Sequence, residues 1–497
     1  MTKSFSRRFF LGSALSGLAG AGWATPPAVS LRPRARPDAG KARAVPGADA
    51  LVADAKLGGR VGFSVMDVKT GLVLEGRDAR KGQPPASVTK AVTALYGLAV
   101  LGAEYRFGTR LLATGVVKNG VLNGDLVLAG GGDPTLDTDA LADMAARLKK
   151  AGVHSVKGRF LVYGGALPYV HEINSGQPAH VGYNPSVSGL SLNYNRVHFE
   201  WKRNGSGYHV MMDARSARYR PDVQVARMLV KERKAPIYTY RDGGSFDSWT
   251  VARAALGKGG SRWLPVRKPE FYTGEVFATF ARSQGIVLRA PEVMKSAPGG
   301  TVLVTHQSAP LRDILREMLK YSTNLTAEMV GLAATSRRLG RPATSLRASA
   351  REMNSWARKE LGMDSVQLVD HSGLGGASRL SPAAMAAALA RVHRNGALKP
   401  ILKDIPMKDG KGRPISAPPV KVVAKTGTLY FVSSLAGYMT APDGTELAFA
   451  IFAANEKLRA GINPERDERP PGARGWNRRA KKLQQQLIER WGVVYGS

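Results

Sequence analysis

Ser87 and Lys90 stand three residues apart in PPASVTKAVTALYGLAVLG, residues 84–102. A Pro-Pro pair precedes them and a long apolar run follows, so the segment reads as a helix that begins near Ser87. Three residues turn a helix by about 300°, which puts both side chains on one face. A lysine there can take the proton of the serine hydroxyl if burial or another cation lowers its pKa. The free N–H groups and dipole of the helix start favour negative charge developing beside Ser87. Alone, Ser-x-x-Lys reads first as a helix start with a solvated lysine. Two further groups change that balance. YSTNLTAEM places Ser322 and Asn324 two residues apart after an apolar helix. VVAKTGTLYFVSSLAGY places Lys425-Thr426-Gly427 at the end of a β-branched run. Gly427 has no side chain, so a substrate backbone can lie against that strand and extend its edge. Lys425 would offer a fixed charge to a substrate carboxylate and help hold Lys90 neutral; Thr426 would hydrogen-bond the same carboxylate. Each triplet is common by chance. The three in this order, on helix, helix-to-loop and strand, are not.

The elements that must position them follow from hydrophobic period and turn signals. RVGFSVMDVKTGLVLEGRDA alternates around Lys69-Thr70-Gly71 and reads as a β-hairpin. VVKNGVLNGDLVLAGGGDPTL reads as short strands, and TDALADMAARLKKAGV as a helix with Leu141, Met144, Ala145 and Leu148 on one face. Residues 156–270 are short strand-like runs cut by Gly, Pro and Asn. Helical patterns return from 274, followed by two strand-like runs, PVKVVAKTGTLYFVSSLAGYMTA and ELAFAIFAANE. The C-terminal NRRAKKLQQQLIERWG repeats Leu483, Leu487 and Trp491 at i, i+4, i+8. Its stripe is narrow and flanked by Gln, which favours a core helix over a membrane-surface one. A β-rich middle between two α/β ends implies one domain split by a long insertion.

The composition bounds the function. The 497 residues suffice for two or three domains, and the absence of cysteine excludes disulfides, thiolate metal sites and a cysteine nucleophile. A net charge of +34 attracts polyanions at long range, anionic envelope polymers among them. The charge is spread along the chain and no nucleic-acid-binding module is recognised, so nucleic acid is not expected as a partner. The start, SFSRRFFLGSALSGLAGAGWA, has Arg7 and Arg8, then an apolar Gly/Ala/Leu stretch, and resembles a twin-arginine signal over residues 1–24. That stretch is too short and too rich in Gly for a good membrane span. Its removal takes three basic residues and leaves +31, with no membrane anchor and a periplasmic location. Residues 25–47 read as a basic Pro/Ala/Arg linker. No His has metal spacing: His171-Glu172 lacks the second His of a zinc helix. No G-x-S-x-G elbow exists, and Gly130-Gly131-Gly132-Asp133-Pro134 lacks the ending of a phosphate loop.

Ser87-Val88-Thr89-Lys90, Ser322-Thr323-Asn324 and Lys425-Thr426-Gly427 together resemble the signature of penicillin-binding proteins and serine β-lactamases. The gap of 235 residues from Ser87 to Ser322 exceeds what a simple β-lactamase-like domain needs. With LNGDLVLAGGGDPTL, NPSVSGLSLNYN and VDHSGLGG, it resembles the low-molecular-mass class C penicillin-binding proteins, the D-alanyl-D-alanine carboxypeptidase/endopeptidase family, over roughly 48–495. The resemblance implies an α+β, transpeptidase-like domain (48–108 and 301–497) interrupted by an insertion domain (109–190 and 266–300) and a nested β-rich domain (191–265). It implies Ser87 as the acylated nucleophile, Lys90 as general base and Ser322 as proton relay. Asn324 would position the substrate amide, Lys425 and Thr426 bind its carboxylate, and the N–H groups of Ser87 and Thr428 form the oxyanion hole. The substrate would be the D-Ala–D-Ala end of a peptidoglycan peptide, β-lactams would acylate the same serine, and no cofactor or metal is required.

One departure stands out. The family often continues Asp-Gly-Ser-Gly-Leu-Ser-Arg, whereas this chain has Asp370-His371-Ser372-Gly373-Leu374-Gly375-Gly376. A basic side chain suited to a diaminopimelate carboxylate is replaced by glycine; Arg379, three residues on, is the substitute to test, and Tyr183 is expected to wall the side-chain subsite. Two other functions compete: a serine β-lactamase, which would need fast deacylation, and a non-catalytic binder of anionic envelope polymers. Three intact motifs argue for turnover, and the long insertion argues against a β-lactamase.

Overall fold

In a computed structural model, residues 45–463 and 470–496 are described. The expected signal segment and nearly all of the expected linker lie outside them. The centre is a six-stranded antiparallel sheet in the order Lys403–Asp404, Lys421–Leu429, Val432–Thr440, Glu446–Ala454, Arg60–Asp67, Val73–Arg77. The two ends of the chain thus meet in one sheet. The strand ELAFAIFAA is buried at eight of its nine positions, because both faces of the sheet are covered. Ala448, Ala450 and Phe452 pack on one face against the helices Thr89–Leu101, Leu311–Tyr321 and Pro382–His393. Leu447, Phe449 and Ile451 pack on the other, against the C-terminal helix Ala473–Tyr495. Leu483, Leu487 and Trp491 are the buried stripe of that helix, so it is a core helix.

The residues between the first two motifs build a second core. A five-stranded sheet runs Pro291–Val293, Phe160–Tyr163, Leu126–Gly130, Gly108–Ala113, Thr301–Gln307. The helix Thr138–Lys150, capped by the Asp137 carboxylate on Ala140 N–H, buries Leu141, Met144, Ala145 and Leu148 against it. Two three-stranded sheets, one built on Arg196–Asn204 and one on Asp247–Ala252, add Phe199 and Trp249 to the same apolar cluster. Two differences from the expected organisation follow. The strand Thr301–Gln307 pairs with Gly108–Ala113, so it belongs to the inserted sheet and not to the 301–497 segment. Residues 191–265 share the core of the insertion and have no separate core of their own.

The helical stretch around Ser322 is broken at that residue. Leu311–Tyr321 is amphipathic, burying Leu311, Ile314, Leu315, Met318 and Leu319. Asn324–Leu339 is buried continuously from Leu325 to Leu332, and includes Gly331, against which the His371 ring packs so closely that a Cβ would overlap it. Ser322 joins the two with φ +61, a left-handed conformation rare outside glycine. Among the described residues, no helix is long and apolar enough to cross a membrane.

Candidate active site

Ser87 lies in a 3₁₀ turn, Ala86–Val88, which feeds directly into the helix Thr89–Leu101. The shared face predicted from spacing is realised: Lys90 Nζ is 3.0 Å from Ser87 Oγ. Lys90 is fully buried, unlike a solvated lysine at a helix start. Its ammonium has two other partners, Asn324 Oδ1 at 2.7 Å and the Ser372 carbonyl at 2.7 Å. Burial pulls its pKa down to about 8, against the raising effect of Asp370 and Glu328.

These three contacts decide what a neutral Lys90 can do. The two carbonyl-type oxygens cannot donate, so each must receive a proton from Nζ. A free amine has two protons, and both are taken. The remaining tetrahedral position, its lone pair, faces Ser87 Oγ.

The other motif residues converge on the same place. Lys425 Nζ bonds Ser322 Oγ at 3.0 Å and the Thr426 carbonyl at 2.8 Å. Lys425 is pushed well below its ordinary value by burial first, then by Lys90 and Lys403. Burial is thus the leading cause for both lysines, and for Lys425 the repulsion between them adds to it. Gly427 lies directly against the nucleophile's turn. A Cβ there would sit 2.7 Å from the Pro85 carbonyl oxygen and 3.0 Å from the Ser87 nitrogen. Thr428 is exposed near the end of the same strand.

Tyr183 reaches the site in an unexpected way. Its backbone carbonyl accepts a 2.9 Å bond from Asn324 Nδ2, which fixes the amide so that its oxygen faces Lys90. Its ring is 47% exposed, with the hydroxyl on Gln177 Oε1 at 2.9 Å. The loop that carries it is pinned by the buried Arg267, which donates to the carbonyls of His171, Ala179 and Asn184. Arg379 does not stand free for a ligand: it is ion-paired to Glu456 at 2.9 Å and donates to the carbonyls of Gly376 and Ser378. The guanidinium that stands over the glycine pair is Arg459, 3.3 Å from where a Cβ of Gly376 would be. It donates to the Tyr430 carbonyl at 3.1 Å, and burial and the Arg379 charge both lower its pKa.

Sequence reasoning missed Arg459, Glu328 and Asp370. The last two are carboxylates buried beneath Lys90, held above the usual carboxylate range by burial and, for Glu328, by its neighbour Asp370. A glutamate inside a continuously buried stretch of helix was the available signal. His371 is buried too, bonded through Nε2 to Ser349 Oγ at 2.7 Å and depressed to about 3; it is a neutral structural histidine.

Residues 47–469 match the model of the D-Ala-D-Ala carboxypeptidase 3 (S13) family. The chain belongs to this family. As a member it is a serine-type peptidase of D-Ala–D-Ala substrates, and peptidoglycan is where they occur. Relatives agree. The D-alanyl-D-alanine carboxypeptidase DacB of Haemophilus influenzae is 26% identical over 412 residues, 80% of this chain and 85% of that protein. A D-alanyl-D-alanine carboxypeptidase from an Actinomadura species is 27% identical over 438 residues, 81% of this chain and 79% of its own. The crystal structure of penicillin-binding protein 4 (dacB) from Haemophilus influenzae superposes with a TM-score of 0.74 at 21% identity, over 89% of this chain and 100% of that one. The fold is therefore the α+β penicillin-binding-protein fold with a long β-rich insertion.

Proposed function

We propose that Ser87 is the nucleophile and Lys90 its base in a carboxypeptidase that removes the terminal D-Ala of peptidoglycan peptides. The observation that carries this is the contact set of Lys90 Nζ, whose lone pair has only Ser87 Oγ to address. Lys90 takes the hydroxyl proton as Oγ attacks the carbonyl carbon of the scissile amide. The backbone N–H groups of Ser87 and Thr428 receive the resulting oxyanion. Collapse breaks the C–N bond, and the proton that Lys90 took passes through Ser322, whose hydroxyl is bonded to Lys425, to the leaving amine, which leaves Lys90 neutral again for the attack of water. Lys425 and Thr426 hold the substrate's terminal carboxylate. Water then cleaves the ester and returns the hydroxyl proton to Ser87. A β-lactam undergoes the same attack, but its ring keeps the leaving group tethered, so the ester persists. The Haemophilus influenzae penicillin-binding protein 4 forms a complex with a β-lactam, which supports the same susceptibility here. Cross-link cleavage is the same reaction with a peptide amine as leaving group, and we extend the proposal to it.

Among the described residues, Arg379 and Arg459 stand with one carboxylate, Glu456, which supports recognition of a free carboxylate on the substrate side chain. The reading gives this role to Arg459, which lies over Gly376 while Arg379 is ion-paired to Glu456, with Tyr183 as the wall. The catalytic segments would be 48–108 and 308–497, reached in the periplasm by twin-arginine export, where the +31 charge would favour anionic envelope polymers. The direct test is release of D-Ala from a pentapeptide muropeptide, expected for the native chain and absent in Ser87→Ala; release by Ser87→Ala would defeat the proposal.

A further inference from the structure

The carbonyl that holds Lys90 belongs to a peptide unit with a second, charged partner. Ser372 C=O accepts from Lys90 Nζ at 2.7 Å. The N–H of the same peptide unit, that of Gly373, donates to Asp370 Oδ1 at 2.7 Å. The other carboxylate oxygen, Oδ2, accepts from Gly375 N–H at 2.6 Å. Asp370 is only 3% exposed. The peptide unit is fixed from the other side as well: Gly373 has φ +77, and a Cβ there would overlap the carbonyl oxygen of Ala86, the residue before the nucleophile. The preceding peptide N–H groups, of His371 and Ser372, are held by the two oxygens of Glu328 at 3.0 and 2.9 Å.

The line of atoms is therefore carboxylate, N–H, C=O, amine. Hydrogen bonds in such a chain polarise one another, and each strengthens the next in a dry interior. The bonds from Gly375 and Gly373 and the Lys90 charge favour the ionised carboxylate against the cost of burial, and a negative charge on Asp370 makes the Ser372 carbonyl a better acceptor and fixes where it points. That direction decides which way the Lys90 lone pair faces.

We infer that Asp370 is a positioning residue for catalysis: acting through the Ser372–Gly373 peptide unit, it aims Lys90 at Ser87 and sets the pH at which Lys90 loses its proton. The inference rests on Lys90 being the base. The charged and titratable groups around it are Lys90 on the nucleophile's helix, Glu328 on the helix Asn324–Leu339 and the neutral His371; Lys425 on the sheet acts on Lys90 from its other side. A buried anion stabilises the ammonium form of Lys90, so removing it must shift the active, neutral form to lower pH.

The test is the second-order rate of acylation by benzylpenicillin from pH 5 to 9, for the native chain and for Asp370→Asn. The asparagine can keep the Gly373 bond through its amide oxygen but carries no charge. We expect the acid limb of the profile to move down by about one pH unit, with a lower plateau as the aim of Lys90 loosens. An acid limb at the native pH, whatever the plateau, overturns the inference, because a mere turn brace would lose rate without moving the limb. If Asp370→Asn does not fold, Asp370→Ser, whose hydroxyl still accepts from Gly373, is read the same way. Lys90→Gln separates the two failures. Acylation retained in that variant defeats the base assignment itself. Acylation lost there, with an unmoved limb in Asp370→Asn, defeats only the role of Asp370.

Discussion

Gly427→Ala should disable acylation with no change to any motif side chain. Gly427 does not have a positive φ, so alanine meets no backbone strain and the effect is purely steric. Its Cβ would lie 2.7 Å from the Pro85 carbonyl oxygen, 3.0 Å from the Ser87 nitrogen and 3.1 Å from the Ala86 Cβ, whereas ordinary contact begins at 3.4 Å. Relief needs a separation of about 0.7 Å between the strand Lys421–Leu429 and the turn that carries Ser87. Neither side yields easily. The strand is paired along its whole length with Val432–Thr440, and the Pro85 carbonyl already accepts Val88 N–H at 3.1 Å. A misplacement near 1 Å costs on the order of 100-fold in rate, so a loss of roughly 10- to 100-fold in the acylation constant is expected. Stability should fall by about 1–3 kcal/mol, the usual range for overpacking. Stopped-flow acylation with a chromogenic cephalosporin, together with a thermal melt, reads both. An alanine variant that acylates within twofold of the native rate would refute the close contact between strand and nucleophile.

Lys90 held at about 8 makes acylation rise with pH. Below that value the ammonium form dominates, and the rate should fall nearly tenfold per pH unit; a rate flat between pH 6 and 9 contradicts this. Arg459→Leu should slow hydrolysis of a diaminopimelate-containing pentapeptide roughly tenfold, the worth of one charge-assisted bond. It should leave penicillin acylation unchanged, since penicillin has no such side chain. Tyr183→Ala should lower muropeptide turnover through its lost ring while keeping penicillin acylation, because its link to Asn324 is a backbone carbonyl. Unchanged turnover would show that the ring does not wall the subsite.

What could be seen in advance was what a local pattern encodes. The spacing of Ser87 and Lys90 forecast their shared face, and the apolar run of ELAFAIFAA forecast a strand. The three motifs were legible because each is a short stretch with fixed flanks. The rest depends on chain folding over long separations. Nothing near Asn324 announces that the carbonyl of Tyr183, 141 residues earlier, orients its amide. Arg379 looked available because its partner, Glu456, lies 77 residues away. The strand Thr301–Gln307 was assigned to the wrong side of a boundary because its partner, Gly108–Ala113, is nearly 200 residues upstream. Asp370 stands in a legible motif, but its bond to the Gly373 N–H, whose peptide carbonyl holds Lys90, is one that no side-chain pattern displays.

The central claim is that Ser87 forms an ester which water removes slowly when the acyl group is a penicilloyl. Intact mass after brief exposure to benzylpenicillin tests it most directly, with Ser87→Ala alongside. A stable gain of one penicilloyl group in the native chain, absent from the variant, is the predicted result. An adduct that persists in Ser87→Ala, or no adduct while penicillin is consumed, would contradict the account.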